Sequence, residues 1–261
     1  MTTTAPSAAA LAAVARRALP LLDLTLLNDD DDEARIRGLA ARATTPVGSV
    51  AALCVWPRLV KTAYTERPAG VRLATVVNFP QGTDAPGQVI DTILDAFNYG
   101  VEEIDVVFPH VYFRHGSVEY CRQVLTAYRQ VTTGRTLKVI LETGLIPDPG
   151  TLRTMCQIAI ECGADFLKTS TGKVPVGATL PAAEVMLRTI IGSGRPVGLK
   201  ISGGLRTAEQ IAPYLTLADR LMGVSWVSPQ TFRIGASSLI DDLIRHLGET
   251  PTPSAATKGG Y

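Results

Sequence analysis

The sequence carries almost no net charge. Its 25 lysines and arginines balance 24 aspartates and glutamates, which leaves a formal charge of +1 over 261 residues. Proteins that bind nucleic acid or anionic membranes through bulk charge need a strongly basic surface, so we expect neither partner here. A small anionic ligand stays possible, because it needs only a few local positive groups.

Metal-binding patterns are also lacking. No CxxC pair occurs, and the few histidines have neither metal-ligand spacing nor cysteines nearby. We therefore expect no metal ion and no other cofactor. The residues concerned are Cys54, Cys121, Cys156, Cys162, His110, His115 and His246.

The N-terminal segment lacks the marks of a leader or an anchor. MTTTAPSAAALAAVARR has no positive charge ahead of its apolar stretch. No run of about 18 apolar residues, the length of a membrane span, occurs in it. We expect residues 1–19 to form a capping helix and the protein to be cytoplasmic.

Short apolar, β-branched runs alternate with helical patterns along the chain. Val89, Ile93 and Phe97 mark one helical face, for example, and Gly100 follows as the stop signal. Successive strands lie about thirty residues apart, the size of a βα unit. The eight predicted strands are residues 20–25, 49–55, 71–77, 102–107, 136–142, 163–168, 196–200 and 230–234.

Eight such units predict an α/β fold, a single-domain (β/α)8 TIM barrel over residues 20–248. A doubly wound open sheet is the second possibility, but no GxGxxG follows the first strand. Residues 249–261 are rich in Pro, Thr, Gly and Ala, a composition typical of a flexible tail.

Lysine is the informative residue, because the chain has only six against nineteen arginines. Lys138, Lys168 and Lys200 lie on or at the ends of strands five, six and seven, where active sites of such barrels lie. Asp23 and Asp105 are likewise polar residues within apolar strands. Buried charges of both signs must pair or shift their pKa values, because an isolated buried charge is too costly.

Two interpretations of these lysines stay open. The residues can form a satisfied ion-pair network that fills the barrel. Alternatively, Lys168 is a Schiff-base nucleophile whose pKa is lowered by the ammonium of Lys200 and by desolvation. An amine attacks a carbonyl only when unprotonated, and free lysine has a pKa of about 10.4. Asp105 would then carry the protons of imine formation.

Glycine-rich turns after strands six, seven and eight suggest a phosphate site. Backbone N–H groups at such turns and at a helix N-terminus bind anions, and loops seven and eight are the usual phosphate site of these barrels. The alternative is that the serines only cap a helix and the glycines only make turns. The candidate residues are Gly172, Lys173, Gly203, Gly204, Arg206, Gly235, Ser237 and Ser238.

Taken together, the motifs of the chain resemble those of deoxyribose-phosphate aldolase. The match runs in order over about residues 20–240. It includes DLTLLNDDDDE at 23–33, LCVWPR at 53–58, TVVNFPQG at 75–82, EEIDVVFP at 102–109, LKVILETG at 137–144, DFLKTSTGK at 165–173, KISGGLRT at 200–207 and FRIGASSL at 232–239. Two departures, Ile201-Ser202 and Val77, could alter the shape of the pocket or its tolerance of aldehydes.

The resemblance implies a metal-free class I aldolase that cleaves 2-deoxy-D-ribose 5-phosphate to acetaldehyde and D-glyceraldehyde 3-phosphate. By it, Lys168 forms the Schiff base, Lys200 lowers its pKa and Asp105 relays protons. The C-terminal Tyr261 matches a family tyrosine that reaches the active site to assist proton transfer. Further substrate-binding positions are Asp23, Thr25, Cys54, Lys138 and Thr169.

Other functions and the oligomeric state stay open. Another class I aldolase, an indole-glycerol-phosphate-synthase-like lyase and a catalytically silent sugar-phosphate-binding barrel are the alternatives. The order of the TSTGK and SGG loops disfavours the first two, and the intact lysine–aspartate set disfavours the third. The helical faces permit a homodimer without requiring one.

Overall fold

In the computed structural model, which describes residues 6–250, eight parallel strands close into a barrel. Each strand pairs with the next along the chain, and β8 returns to pair with β1, as in Leu22 opposite Ile234. The strands are β1 Leu22–Leu26, β2 Ala52–Val55, β3 Arg72–Val77, β4 Glu103–Val107, β5 Thr136–Ile140, β6 Phe166–Lys168, β7 Gly198–Ser202 and β8 Phe232–Ala236. The predicted (β/α)8 barrel is therefore confirmed, and the open sheet is excluded.

Helices connect the strands and cover the outside of the barrel. They are α1 Ala8–Ala18, α2 Glu33–Arg42, α3 Val60–Glu66, α4 Pro86–Asn98, α5 His110–Arg114, α6 Val118–Val131, α7 Pro149–Glu161, α8 Leu180–Ser193, α9 Ala208–Met222 and α10 Leu239–His246. Short 3₁₀ turns occur at Leu19–Leu21, Pro57–Leu59, Thr143–Leu145 and Val224–Trp226, and a small antiparallel hairpin joins Thr44–Thr45 to Gly48–Ser49.

Local sequence signals set the ends of these helices. Asp32 caps α2 by accepting a hydrogen bond from the backbone N–H of Arg35. Pro149 occupies the first position of α7, where its missing N–H costs nothing. Gly100 follows α4 with a positive φ of 79°, as predicted for a helix stop.

The predicted N-terminal helix is present as α1. Leu11, Ala15 and Ala18 on one face are buried, and α1 packs against α9 and α10. Arg17 adds an ion pair to Asp219 of α9 at 2.7 Å. Within residues 6–250, no helix is long and apolar enough to cross a membrane.

The core lies between the strands and the helices, while the barrel interior carries charge. The outward sides of the strands and the inward helix faces form one large apolar cluster. Inside the barrel, the largest fully buried side chains include Lys138, Lys168 and Lys200. Buried lysines need anions close by to compensate their charge. The barrel interior is therefore the candidate active site.

Candidate active site

Strand register brings the predicted catalytic residues together. Lys168 of β6 lies opposite Lys200 of β7, and Asp105 of β4 lies opposite Lys138 of β5. Paired positions of neighbouring parallel strands carry side chains on the same face. All four side chains are buried in the barrel interior.

Asp105 is the centre of this group. Its Oδ2 accepts hydrogen bonds from Lys168 Nζ at 2.9 Å and from Lys200 Nζ at 2.7 Å. Its Oδ1 accepts one from Lys138 Nζ at 2.8 Å. A single carboxylate therefore connects all three lysines, and its Oδ2 is shared by Lys168, the predicted Schiff-base lysine, and Lys200, its predicted pKa-lowering neighbour.

Asp23 forms a second anionic centre on β1. Its Oδ2 accepts from Lys200 Nζ at 2.6 Å, and its Oδ1 accepts from Arg233 Nη1 at 2.6 Å. Lys138 Nζ lies 3.7 Å from Oδ2 of the same group. Lys200 is thus held between Asp23 and Asp105, whereas Lys168 has only Asp105 as an ion-pair partner among the described residues.

This asymmetry separates the pKa values of the lysines. Burial lowers the pKa of Lys168, and the ammonium of Lys200 lowers it further, against the opposing effect of Asp105. Burial acts on Lys200 too, but Asp105 and Asp23 outweigh it and raise its pKa well above the ordinary value. The pKa of Lys138 also rises, because Asp105 and Glu103 overcome its burial. Lys168 is therefore the amine of this group that most readily loses its proton.

The carboxylates stay ionised for the complementary reason. Burial alone would raise the pKa of Asp105, but Lys138, Lys168 and Lys200 together lower it well below the usual range. Burial would also raise the pKa of Asp23, but the positive charges of Lys200 and Arg233 outweigh it and lower that pKa. An ionised Asp105 between two amines accepts hydrogen bonds from both and holds a proton only transiently.

Two further predicted positions adjoin the network. Cys54 Sγ lies 4.0 Å from Asp105 Oδ2, and burial raises the pKa of its thiol, so it faces the site as a neutral group. Thr25 donates its hydroxyl to the backbone carbonyl of Asp23 at 2.8 Å, which steadies β1 at that residue.

The turns after β6 and β7 are joined to each other. Thr169 Oγ1 donates to the carbonyl of Ser202 at 3.1 Å and accepts from its N–H at 2.9 Å. A Cβ atom on Gly203 would lie 2.8 Å from Gly177 Cα and 3.5 Å from Gly172 Cα, so only glycine fits there. The buried hydroxyl of Ser170, beside this contact, has no hydrogen-bond partner among the described residues.

Other candidates for the phosphate site are more dispersed. Lys173 Nζ lies 3.6 Å from Asp29 Oδ1 and 5.9 Å from the centre of the Trp56 ring, which links the β6 loop to the β1 and β2 loops. Gly204 and Arg206 are exposed after β7. The structure thus leaves these last two at the rim and Lys173 in contact with the neighbouring loops.

After β8, the predicted residues fall into two groups. Ser237 and Ser238 are half-buried at the start of α10, and in the described part of the chain no side-chain hydrogen bond caps that helix at Ser238. Gly235 lies within β8, and a Cβ there would come within 3.1 Å of Lys200 Cε. Its missing side chain leaves room for Lys200.

Sequence reasoning missed Glu103 and Arg233. Arg233 donates to Asp23 and to Glu103, whose carboxylate also contacts Lys138 Nζ at 2.6 Å. The available signal was the period of two within EEIDVV, which places Glu103 on the same face as Asp105. Arg233, inside the predicted strand QTFRI, carried the same signal.

The end of strand five differs from the prediction. The strand stops at Ile140 rather than at residue 142, and Glu142 adopts a left-handed backbone conformation with a φ of 54°. Its buried carboxylate accepts hydrogen bonds from the N–H and the hydroxyl of Thr171, and burial raises its pKa. Glu142 therefore holds the loop after β6 instead of continuing the strand face of Lys138.

One group within residues 6–250 has metal-ligand geometry. Glu209, Asp242 and His246 place one ligand atom each within 4.8 Å of one another, on α9 and α10 outside the barrel. Asp242 already accepts a hydrogen bond from the N–H of Ala208 at 2.8 Å.

Tyr261, predicted to assist proton transfer, lies outside the described residues.

A closed (β/α)8 barrel whose interior gathers buried lysines and aspartates, with Lys168 at the C-terminal end of β6, has the architecture of a barrel enzyme. Residues 17–239 match the model of the DeoC/LacD family of aldolases. The chain belongs to this family and is an aldolase, a carbon–carbon lyase.

Solved structures agree with this assignment. The apo form of a Toxoplasma gondii ME49 protein assigned as a deoxyribose-phosphate aldolase superposes with a TM-score of 0.83 at 22% identity, covering 91% of this chain and 97% of that chain, which shows the shared fold. QR15, an aldolase, gives a TM-score of 0.74 at 26% identity, with 90% and 96% coverage. The tetrameric deoxyribose phosphate aldolase of Aeropyrum pernix gives 0.70 at 25% identity, with 91% and 97% coverage.

Proposed function

We propose that this aldolase reversibly cleaves 2-deoxy-D-ribose 5-phosphate to acetaldehyde and D-glyceraldehyde 3-phosphate through an imine on Lys168. The observation that carries the proposal is the contrast between two adjacent buried lysines. The pKa of Lys168 is lowered while that of Lys200 is raised, although both donate to the same oxygen of Asp105. This is the arrangement that a nucleophilic amine needs.

The first half of the reaction forms the imine. The neutral amine of Lys168 attacks the aldehyde carbon of the open-chain sugar, and the resulting carbinolamine loses water. Asp105 Oδ2, within hydrogen-bond distance of Lys168 and Lys200, carries the proton released by the amine and returns one to the departing hydroxyl. Lys138 and Lys200 supply the positive charge that keeps Asp105 ionised between these transfers.

The second half breaks the carbon–carbon bond. Asp105 accepts the proton of the C3 hydroxyl, D-glyceraldehyde 3-phosphate leaves, and the electrons of the C2–C3 bond move into the iminium to form an enamine. Protonation of the enamine carbon and hydrolysis then release acetaldehyde and regenerate Lys168. In this proposal Tyr261 assists the proton transfer at that carbon. Thr25, Cys54 and Lys138 shape the inner end of the site.

The phosphate group would bind where the turns after β6, β7 and β8 meet. Gly172 and Gly203 approach each other there, and the Ser170 hydroxyl beside them is buried without a partner in the described part of the chain. Ser237 and Ser238 precede α10, whose N-terminal N–H groups favour an anion. We expect Lys173 to add positive charge from the adjoining loop.

Product analysis tests this function directly. The purified protein should convert 2-deoxy-D-ribose 5-phosphate to equal amounts of acetaldehyde and D-glyceraldehyde 3-phosphate, each measured with its own coupled dehydrogenase. The Lys168→Ala variant, checked for native circular dichroism, should release neither. If the protein binds the phosphosugar without forming products, it is a silent binding barrel. Cleavage of other phosphosugars alone would indicate a different aldolase.

A further inference from the structure

Glu103 lies deeper in the barrel than the residues assigned to the reaction. It is on β4, two positions before Asp105 and nearer the N-terminal ends of the strands. It is fully buried, and its carboxylate contacts Lys138 Nζ at 2.6 Å, Arg72 Nε at 2.6 Å and Arg233 Nη2 at 2.9 Å. Among the ion pairs of residues 6–250, none joins Glu103 to Lys168 or Lys200.

Two of these cations link Glu103 to the catalytic carboxylates. The ammonium of Lys138 lies between Glu103 Oε2 at 2.6 Å and Asp105 Oδ1 at 2.8 Å. The guanidinium of Arg233 lies between Glu103 Oε1 at 2.9 Å and Asp23 Oδ1 at 2.6 Å. In both cases the bridging cation holds one carboxylate oxygen and leaves the other, Oδ2, directed at a lysine of the site.

The buried charges around Glu103 are nearly balanced. The three carboxylates of Asp23, Glu103 and Asp105 face three buried cations, Lys138, Lys200 and Arg233. The exposed Arg72 adds a further cation at Glu103. A protonated Lys168 would add one more buried cation, so each of the three carboxylates, Glu103 included, is needed to compensate the buried positive charge.

We propose that Glu103 is a positioning residue for the reaction at Lys168. It acts from the N-terminal half of the barrel by fixing Lys138 and Arg233, which in turn hold Asp105 and Asp23 in place. This inference rests on the proposed role of Lys168 as the nucleophile. Glu103 itself touches neither substrate nor Lys168.

Replacement by glutamine changes both geometry and charge. In Glu103→Gln the amide has one acceptor oxygen for two bridging cations. Lys138 and Arg233 therefore pair more strongly with their remaining carboxylates, Asp105 and Asp23. The interior also gains a net positive charge, which disfavours a proton on Lys168. Both effects lower the pKa of Lys168. The charged or titratable groups around Lys168 that bear on this are Asp23 on β1, Cys54 on β2, Asp105 on β4, Lys138 on β5, Glu142 after β5 and Lys200 on β7.

The test measures the titration of Lys168 itself. Brief labelling with acetic anhydride over a pH series, followed by peptide mass spectrometry, reports the midpoint at which the Lys168 amine becomes reactive. We expect this midpoint to fall by about one pH unit in Glu103→Gln, a tenfold change in the protonation equilibrium. The lower pKa by itself favours the neutral amine, but Asp105 and Asp23 are no longer held in place. The kcat for phosphosugar cleavage should therefore fall roughly tenfold, which is less than the full loss of a proton-transfer group, with KM within about twofold.

Two variants serve as controls. Glu102→Gln makes the same change one residue away, at a carboxylate whose ion pair is with Arg67 outside the barrel interior, and should leave both the midpoint and kcat unchanged. Glu103→Asp keeps the charge but shortens the side chain. It should bring the midpoint back most of the way to the wild-type value because the charge is kept, while kcat stays at least about threefold low because the shorter carboxylate cannot hold both bridges.

An unchanged Lys168 midpoint in folded Glu103→Gln, or a shift equal to that of Glu102→Gln, would overturn the proposal. If Glu103→Gln does not fold, Glu103→Asp decides the matter, and a wild-type kcat there refutes the positioning role. The labelling midpoint does not depend on which sugar is cleaved. If the proposed substrate is wrong, the wild-type protein forms no products from it. The labelling midpoint still tests whether Glu103 acts on Lys168.

Discussion

Removing the charge of Lys200 should raise the pKa of Lys168 by an amount that the structure sets. Both ammonium nitrogens bond Asp105 Oδ2, at 2.9 and 2.7 Å, so they lie no more than 5.6 Å apart. At an effective dielectric constant of about 20, two unit charges at that separation repel by about 3 kcal/mol. This corresponds to a shift of about two units in the pKa of Lys168 when Lys200→Leu removes the repulsion.

The consequence for activity follows from which form of Lys168 reacts. Only the neutral amine attacks the aldehyde, so a raised pKa shrinks its share at neutral pH by about 100-fold for two units. Lys200→Leu should therefore lower kcat/KM at pH 7 by about this factor, with partial recovery as the pH rises. The measurement is a pH profile of kcat/KM for 2-deoxy-D-ribose 5-phosphate cleavage, whose acid limb should move upward by about two pH units.

The matched control is Lys200→Arg, which keeps a cation between Asp23 and Asp105. Its acid limb should stay near that of the wild type even if its maximal rate falls. An acid limb of Lys200→Leu at the wild-type pH, in a protein with native circular dichroism, would refute the account of how Lys168 is activated.

Four further substitutions test the other assigned roles. Asp105→Asn should leave imine trapping at Lys168 slow but detectable and reduce kcat by at least about 100-fold, the usual contribution of a positioned proton-transfer group; kcat within twofold of the wild type would exclude the relay. Ser238→Asp should raise KM for the phosphorylated sugar much more than Ser237→Ala does, through repulsion of the phosphate, with little effect on unphosphorylated 2-deoxyribose. Equal losses on both sugars would assign the serines to stability. Tyr261→Phe should lower kcat and slow deuterium exchange into the methyl group of acetaldehyde, with imine trapping intact; full exchange would mean that the terminal hydroxyl has no part in proton transfer.

The barrel could be predicted, and its interior lysines singled out, because their signals are local. Strand spacing of about thirty residues predicted the βα units. Lysine is scarce in this chain, so its presence on three successive strands was conspicuous. Strand register brings Lys168 beside Lys200, on adjacent strands as expected, and also places Asp105 beside Lys138, which was not predicted.

The inner half of the network could not be predicted in the same way. Charged residues near strand starts usually reach solvent, so the period of two at Glu103 and Arg233 did not by itself identify them as buried partners. Their burial follows from side chains that converge across the barrel from opposite strands, β4 and β8, whose closeness depends on closure of the sheet.

Backbone conformation caused the other differences. Glu142 is the last residue of the predicted strand 136–142. Its left-handed backbone instead lies beyond the end of β5 and turns its carboxylate to Thr171. Gly235 was predicted to lie in the turn after strand eight. In the structure it lies within β8, where its missing side chain leaves room for Lys200. Neither outcome is visible without the positions of neighbouring strands.

The central claim is that Lys168 is the imine-forming residue, and borohydride trapping tests it most directly. The wild-type protein is treated with acetaldehyde and sodium borohydride, and the modified peptide is located by mass spectrometry. The account predicts one reduced ethyl group on Lys168, none in Lys168→Ala, and a slower but identically placed label in Lys200→Leu at pH 7. A label on Lys200 or Lys138, or equal labelling in Lys168→Ala, would contradict it.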